Sequence, residues 1–515
     1  MTTRNLLSGP VTLSTAEAKS RNVLHALAYP QQKEDFYKRM ESHRPLLADI
    51  VAHHLGTKPT DILISSQEYW RNGSFNLCIP ARVDAGPSVM SILPQFVILR
   101  FPLPYRVGEA TRLGNSDEKV NCEAATYAWL QENCPSVPIP KLYGFGLSTN
   151  QRFTNLNLLP WWSRCFQRAR RYFLAAFGFQ HPSQYVCHRS SSLAGLGIGY
   201  LLIETITTGE MLSESWDEKQ NDPRLQENLQ RGLARIMLSL ASIDLPRIGA
   251  FRLDGKGCLH LDNRPLNIQF TMHENEGIPL DIHRRTTFSR VTDLVHSHLT
   301  AFDNRLLHQP NAIDSRDDGC YQMTSLAAAR TIFPQLFRKD LDSGPFVFSL
   351  TDLHRSNIYV DEDWNVSCII DLEFACSLPI EFLQPPYWLG GKLMDEIEAI
   401  EFAPKHAEFV DHLKREEQLH SYRGNAEPLS SIMQQAWTNG AFWVTLAVRD
   451  PIAFTEIFYE RVLPGLFSLS SEELNNANHE FFARLWHRDA LGILDRKLQD
   501  RDRYLKRLRE AFVDC

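Results

Sequence analysis

Residues 346–374 read FVFSLTDLHRSNIYVDEDWNVSCIIDLEF. Three short apolar runs alternate with two polar breaks. The runs are rich in β-branched and aromatic residues, which predicts strands. TDLHRSN separates the first run from the second. DEDWN, a turn composition, separates the second from the third. A hairpin of the last two runs would return Asp371 to the side of Asn357. Asp352 precedes that asparagine by four intervening residues. Taken singly these features mean little: D-x-x-x-x-N is common, and an Asp after a strand is usually a turn former. Their joint order is informative, because it aims two carboxylates and an amide oxygen at one point.

Phosphoryl transfer asks for such a point. A carboxylate must orient the acceptor hydroxyl, hard oxygens must hold Mg²⁺, and cations must neutralise the phosphates. The stretch resembles the catalytic segment of aminoglycoside phosphotransferases and their choline-kinase-like relatives, commonly H-G-D-L-H-x-x-N followed by I-D-W/F-E. Here the pieces are LTDLHRSN and IDLE. It is also similar to fungal phosphotransferase-family proteins, through TDLHRSNIYVDEDW and ACSLPIEFLQPPYW. The resemblance spans roughly residues 60 to 400. It implies an α+β, bilobal protein-kinase-like fold with a small β-rich N-lobe and a large helical C-lobe. It also implies ATP or GTP as donor, Mg²⁺ as cofactor, and a small-molecule hydroxyl as acceptor. By the same likeness Asp352 is the catalytic carboxylate, and Asn357 and Asp371 are the metal ligands. His354 is expected to be structural, Glu373 to stand beside the metal ligands or in solvent, and Arg355 to face solvent.

Upstream elements arrive in a matching order. DILISS, SFNLCIPARV and FVILRFP predict three strands between residues 61 and 103. A helix is expected from Asp117 to Glu132, with Val120, Ala124, Tyr127 and Ala128 at helical spacing. The resemblance matches Arg100 to the phosphate-binding cation, where a Lys is usual, and Glu123 to its partner. An Arg fork differs in geometry from a Lys point charge. Gly73, Ser74, Phe75 and Asn76 stand where a phosphate-cradling loop is expected, without a GxGxxG pattern. Glu204, Thr205 and Ile206, ending the apolar run GYLLIETI, resemble the hinge that contacts a purine.

The predicted organisation is an N-terminal helical extension (1–60), an N-lobe (61–203) with an insertion of helix and loop near 151–198, a C-lobe (204–400), and a helical extension (401–515). Within it, 224–243 and most of 277–346 read as helix. Ser470 and Glu473 fit a capping box, and 494–512 an amphipathic closing helix. Region 277–320 and Tyr387, Trp388, Asp395, Glu396 and Glu398 are candidates for the acceptor cleft.

The 515-residue chain is 43% hydrophobic and 22% charged, values of a folded globular protein. A formal net charge of −7 argues against a nucleic-acid partner. No apolar leader or spanning run appears, and the ten cysteines show no CxxC pair, so a cytoplasmic protein with reduced thiols and no membrane partner is expected. A nucleotide-binding pseudokinase or scaffold is the competing reading, supported by Arg100 and the thin glycine loop. A protein Ser/Thr kinase ranks last, because DFG, APE and HRD are all absent.

Overall fold

The computed structural model describes residues 3–85, 93–189, 195–419, 427–467 and 478–513. Its N-terminal half is built on an antiparallel sheet. In chain order the main strands are β1 (Ile62–Ile64), β2 (Asn76–Val83), β3 (Phe96–Pro102), β4 (Leu142–Gly146), β5 (Gln151–Asn155), β6 (Tyr185–Arg189) and β7 (Tyr200–Glu204). They lie in the order β1-β2-β3-β7-β4-β5-β6, with Arg71–Asn72 also paired to β2. The apolar run of β7 is thus central, as expected of a strand covered on both faces.

Strand alternation decides which way β3 points its side chains. Val97, Leu99 and Phe101 are fully buried against helices Tyr29–Ser42 and Arg44–Leu55. Ile98 and Arg100 therefore face the opposite side, where helix α1 (Asn115–Asn133) packs. Gly114, at φ 87°, caps α1. The 3.6-residue period sets Lys119 and Glu123 on one face of α1, toward Arg100.

After β7 the chain crosses at residues 205–209 to the helical half. Glu210 and Met211 pair there with Val360 and Tyr359. Gly209 has φ 79°, and a Cβ on it would lie 2.5 Å from the Val360 carbonyl oxygen, so the crossing requires glycine. Phe346–Ser349 pairs antiparallel with Cys376–Pro379, closing residues 350–375 into one loop. Inside that loop β8 (Ile358–Val360) and β9 (Val366–Ile369) form the expected hairpin around DEDWN. Helix α3 (Pro223–Ala241) begins at Asp222, whose side chain accepts from the Arg224 and Leu225 N–H groups. It joins helices Val291–His308, Arg316–Leu336 and Ala399–Leu419 around a large apolar core. The fold is α+β, with a β-sheet in the N-terminal half and a largely helical C-terminal half.

Several local expectations change. Thr3–Leu6 and Gly9–Thr12 form a hairpin, not a helix, and Arg4 Nε donates to the Ala511 carbonyl at 2.5 Å. Within 151–198, only Trp161–Ala176 (α2) is a long helix; its flanks are the added strands β5 and β6. QRFTN and YVCHR were too short and polar to read as strands alone, and sheet pairing decides them. A hairpin at Ala250–Leu253 and Leu259–Asn263 has no counterpart in the sequence reading. The closing helix runs Ala490–Val513. The Ser470–Glu473 box and part of SSSLAG lie outside the described residues. Among the described residues no helix is long and apolar enough to cross a membrane, and nine cysteines are free.

Candidate active site

The loop after Phe346–Ser349 holds its shape through its own polar groups. The Thr351 hydroxyl donates to the Phe374 carbonyl at 2.7 Å. Asn357 Nδ2 donates to the Asp352 carbonyl at 2.9 Å and to its carboxylate at 3.2 Å. Its own carbonyl accepts from Ile370 N–H at 2.9 Å, which sets Asp371 beside it. Burial pushes the Asp352 carboxyl up to about 7, helped by repulsion from Glu373 and opposed by Asn357, Arg100 and Arg449. Asp371 sits at φ 62°, a left-handed conformation uncommon outside glycine and sustained here by the hairpin exit. His354 caps the turn Arg355–Asn357, with Nδ1 near Ser356 Oγ at 3.2 Å. Arg355 does not simply face solvent: its guanidinium lies 5.1 Å from the Trp216 ring centroid.

A cluster of buried charges stands behind these groups. Arg100, Lys119, Glu123 and Glu373 are each no more than 5% exposed. Arg100 forms ion pairs with Glu123, Asp371 and Glu373. Glu373 also pairs with Lys119 and accepts from Asn76 Nδ2 at 2.5 Å. Lys119 Nζ donates to Asn76 Oδ1 at 2.6 Å. Such charges persist in an interior only when paired. Burial alone would push Glu373 up, yet Lys119 and Arg100 outweigh it and hold the carboxyl below its ordinary value. For Glu123 burial prevails over Arg100, and its carboxyl is raised. For Lys119 burial prevails over Glu373, and its ammonium is lowered.

Arg100, Glu123 and Asp371 are thereby brought together. Glu373 is part of the same cluster and not a solvated strand end. Lys119 is the cation that sequence reading missed. The residues of the expected phosphate loop divide. Gly73 and Ser74 are exposed at a turn, and no atom would contact a Cβ on Gly73. Phe75 is buried edge-to-face on Phe374, with centroids 5.5 Å apart. Asn76 turns its amide into the charge cluster. At the crossing, the Glu204 N–H donates to the Lys141 carbonyl, and Thr205 and Ile206 are half-buried.

A cavity of about 330 Å³ opens on Asp352 and His354. Its wall is largely apolar, with Leu266, Leu378, Phe382, Tyr387 and Trp388 among its members. The Trp388 indole N–H fixes one wall by donating to the Leu353 carbonyl at 2.8 Å. Polar groups on the wall include Arg449, His298 and Gln384. His298 Nδ1 and Gln384 Oε1 are buried without a hydrogen-bond partner among the described residues. Of the expected acceptor residues, Tyr387 and Trp388 line this cavity. Asp395, Glu396 and Glu398 do not, and Glu398 pairs with Arg461 at 2.7 Å instead. From 277–320, His298 alone is on the wall.

Comparison with known proteins agrees with the segment that carries the loop. Residues 166–382 match the model of the phosphotransferase enzyme family, an interval containing Asp352, Asn357 and Asp371. No curated protein matches the chain. Among solved structures, the streptomycin–ATP–APH(2")-IIa ternary complex aligns at 9% identity and a TM-score of 0.36, over 85% of this chain and 97% of that one. Macrolide 2'-phosphotransferase type I aligns at 11% identity and a TM-score of 0.32, over 78% and 90% respectively. The likeness to the phosphotransferase enzyme family is thus carried by residues 166–382, the segment that holds the Asp352 loop.

Proposed function

We propose that this protein transfers the γ-phosphoryl group of ATP or GTP to a hydroxyl of a small molecule. The observation that carries the reading is the juxtaposition of Asp352 with the open cavity on one side and the Arg100–Asp371 pair on the other. Asp352 would orient the acceptor hydroxyl in the cavity and take up its proton as transfer proceeds. Arg100 and Lys119 would set the positive field that the phosphates meet, with Glu123 and Glu373 holding both cations in place. The turn at Gly73–Ser74 would approach the phosphates, and residues 204–206 the purine. Residues 61–203 then act as the nucleotide-covering lobe, and 204–400 with the helices after it as the acceptor lobe.

Asn357 and Asp371 fit Mg²⁺. The side-chain nitrogen Nδ2 of Asn357 is committed to Asp352, which leaves the side-chain oxygen Oδ1 to face an ion. The Asp371 side chain is 33% exposed beside it. Both are hard oxygen donors of the kind this ion takes, and when bound it would neutralise phosphate charge.

The cavity also narrows the acceptor. Its apolar wall suits a hydrophobic body. Arg449 suits an anionic group on that body, because no ion pair of its guanidinium with a carboxylate is found among the described residues, and Tyr387 and then Asp352 act on its charge across the cavity wall. Arg449→Gln is expected to raise KM for a hydroxy acid about tenfold or more, the value of one charge-assisted hydrogen bond. KM for the corresponding hydroxy amide should change little. Equal effects on both would remove the anion from the reading.

The competing reading, a nucleotide-binding scaffold without turnover, draws on one observation: three carboxylates already engage Arg100. Nucleotide turnover with Mg²⁺ over a panel of hydroxyl acceptors separates the two. Acceptor-dependent release of ADP or GDP by the wild type is expected. Nucleotide binding without release, for every acceptor, would favour the scaffold.

A further inference from the structure

Helix α2 presents the wrong side to solvent. Trp161, Trp162, Phe166, Tyr172 and Phe173 are each between 59% and 72% exposed, and Phe177 and Phe179 follow at 73% and 65%. No residue of the helix is buried. The side chains nearest the protein are mostly polar, Ser163, Arg164, Gln167 and Arg171. Arg171 pairs with Glu132 at 2.9 Å, and Arg168 donates to Asn157 at 3.1 Å. An ordinary surface helix is arranged the other way, with its apolar stripe inward. A contiguous exposed aromatic face of this size marks a contact site.

Charge identifies the contact. Residues 133–203 contain no Asp or Glu, while the helix itself carries Arg164, Arg168, Arg170 and Arg171, in a chain of net charge −7. A second copy of the same helix would set arginine against arginine, which disfavours self-association through this face. An anionic bilayer answers both the aromatic and the basic character. Beneath the helix lies a cleft of about 210 Å³ lined by Gln167, Arg170, Arg171 and Lys256. Arg171 Nη1 is buried there without a hydrogen-bond partner among the described residues. A lipid phosphate would supply one.

We propose that the Trp161–Ala176 helix lies in the plane of a membrane surface containing anionic phospholipid, its aromatic side chains among the headgroups and its arginines on lipid phosphates. The expectation of no membrane partner came from the lack of a spanning run, and an interfacial helix spans nothing.

Flotation of the full chain with vesicles tests this. Wild type should float with phosphatidylcholine vesicles containing one-third phosphatidylserine. Association should be at least about tenfold weaker with phosphatidylcholine alone and should fall at high salt. Trp162→Ser with Phe166→Ser and Phe173→Ser should lose at least about tenfold while melting at the wild-type temperature, since all three side chains are exposed. Arg168→Glu with Arg170→Glu should lose the preference for phosphatidylserine. Failure of the wild type to float, or equal flotation with neutral vesicles, overturns the proposal. So does a wild-type dimer that the serine variant turns into a monomer while neither floats.

Discussion

Asp352→Asn is expected to slow phosphoryl transfer by about 10²–10⁴-fold, the usual worth of a positioned general base. Nucleotide affinity should stay near the wild-type value, because Asp352 lies on the cavity wall and is not among the carboxylates that pair with Arg100 in the described residues. Folding stability should not fall. Burial holds the Asp352 carboxyl up near 7, above the unfolded value, so above that pH the folded chain carries a carboxylate that it accommodates less readily than the unfolded chain does. A neutral amide relieves that cost while keeping a partner for Asn357. Rapid-quench measurement of transfer, nucleotide titration and thermal melting read the three effects separately. A variant that transfers within a factor of a few of the wild type would take Asp352 out of the chemistry.

Glu373→Gln carries the second large effect. One Glu373 oxygen receives donors from Arg100, Lys119 and Asn76. Removing its charge leaves Lys119, which is buried, without its carboxylate partner among the described residues. Breaking a buried pair in this way costs about 3–5 kcal/mol. Lys119→Met alone should destabilise as well, by leaving the carboxylates in excess. The double variant Lys119→Met with Glu373→Gln should lose less than the sum of the two, because it removes both members of one buried pair and leaves neither charge without the other. Urea unfolding followed by tryptophan emission gives the four stabilities of this cycle. Strict additivity would mean that Lys119 and Glu373 do not share an electrostatic unit.

The same residues explain how far the sequence could be read. TDLHRSN and the hairpin carrying Asp371 were legible because local spacing alone folds them together. Arg100 and Glu123 were legible through the family resemblance, which matches them by the order of strand and helix. Lys119 was not, although the signal was present: it stands four residues before Glu123. A Lys and a Glu at that spacing ordinarily form a solvent-facing pair. Only the packing of α1 onto β3 and the 371–374 turn turns that face inward. Arg449 was invisible for a different reason. It follows helix Ala441–Ala447 and meets Asp352 through tertiary packing, with no local pattern around it. Strands β5 and β6 escaped notice because short polar strands draw on pairing more than on composition.

The two ends of the described chain support one another. Arg4 holds the Ala511 carbonyl, Tyr504 accepts from the Val23 N–H at 3.0 Å, and Arg509 pairs with Glu17 at 2.8 Å. Between these contacts, the residues around Arg21 are pinned by Asn311 and Gln309, and Arg21 itself reaches the mouth of the cavity at Asp352. Shortening the protein from its C-terminal end would therefore be felt first at the wall of the Asp352 cavity, and a trimmed chain would keep the Arg100 cluster while losing part of that wall.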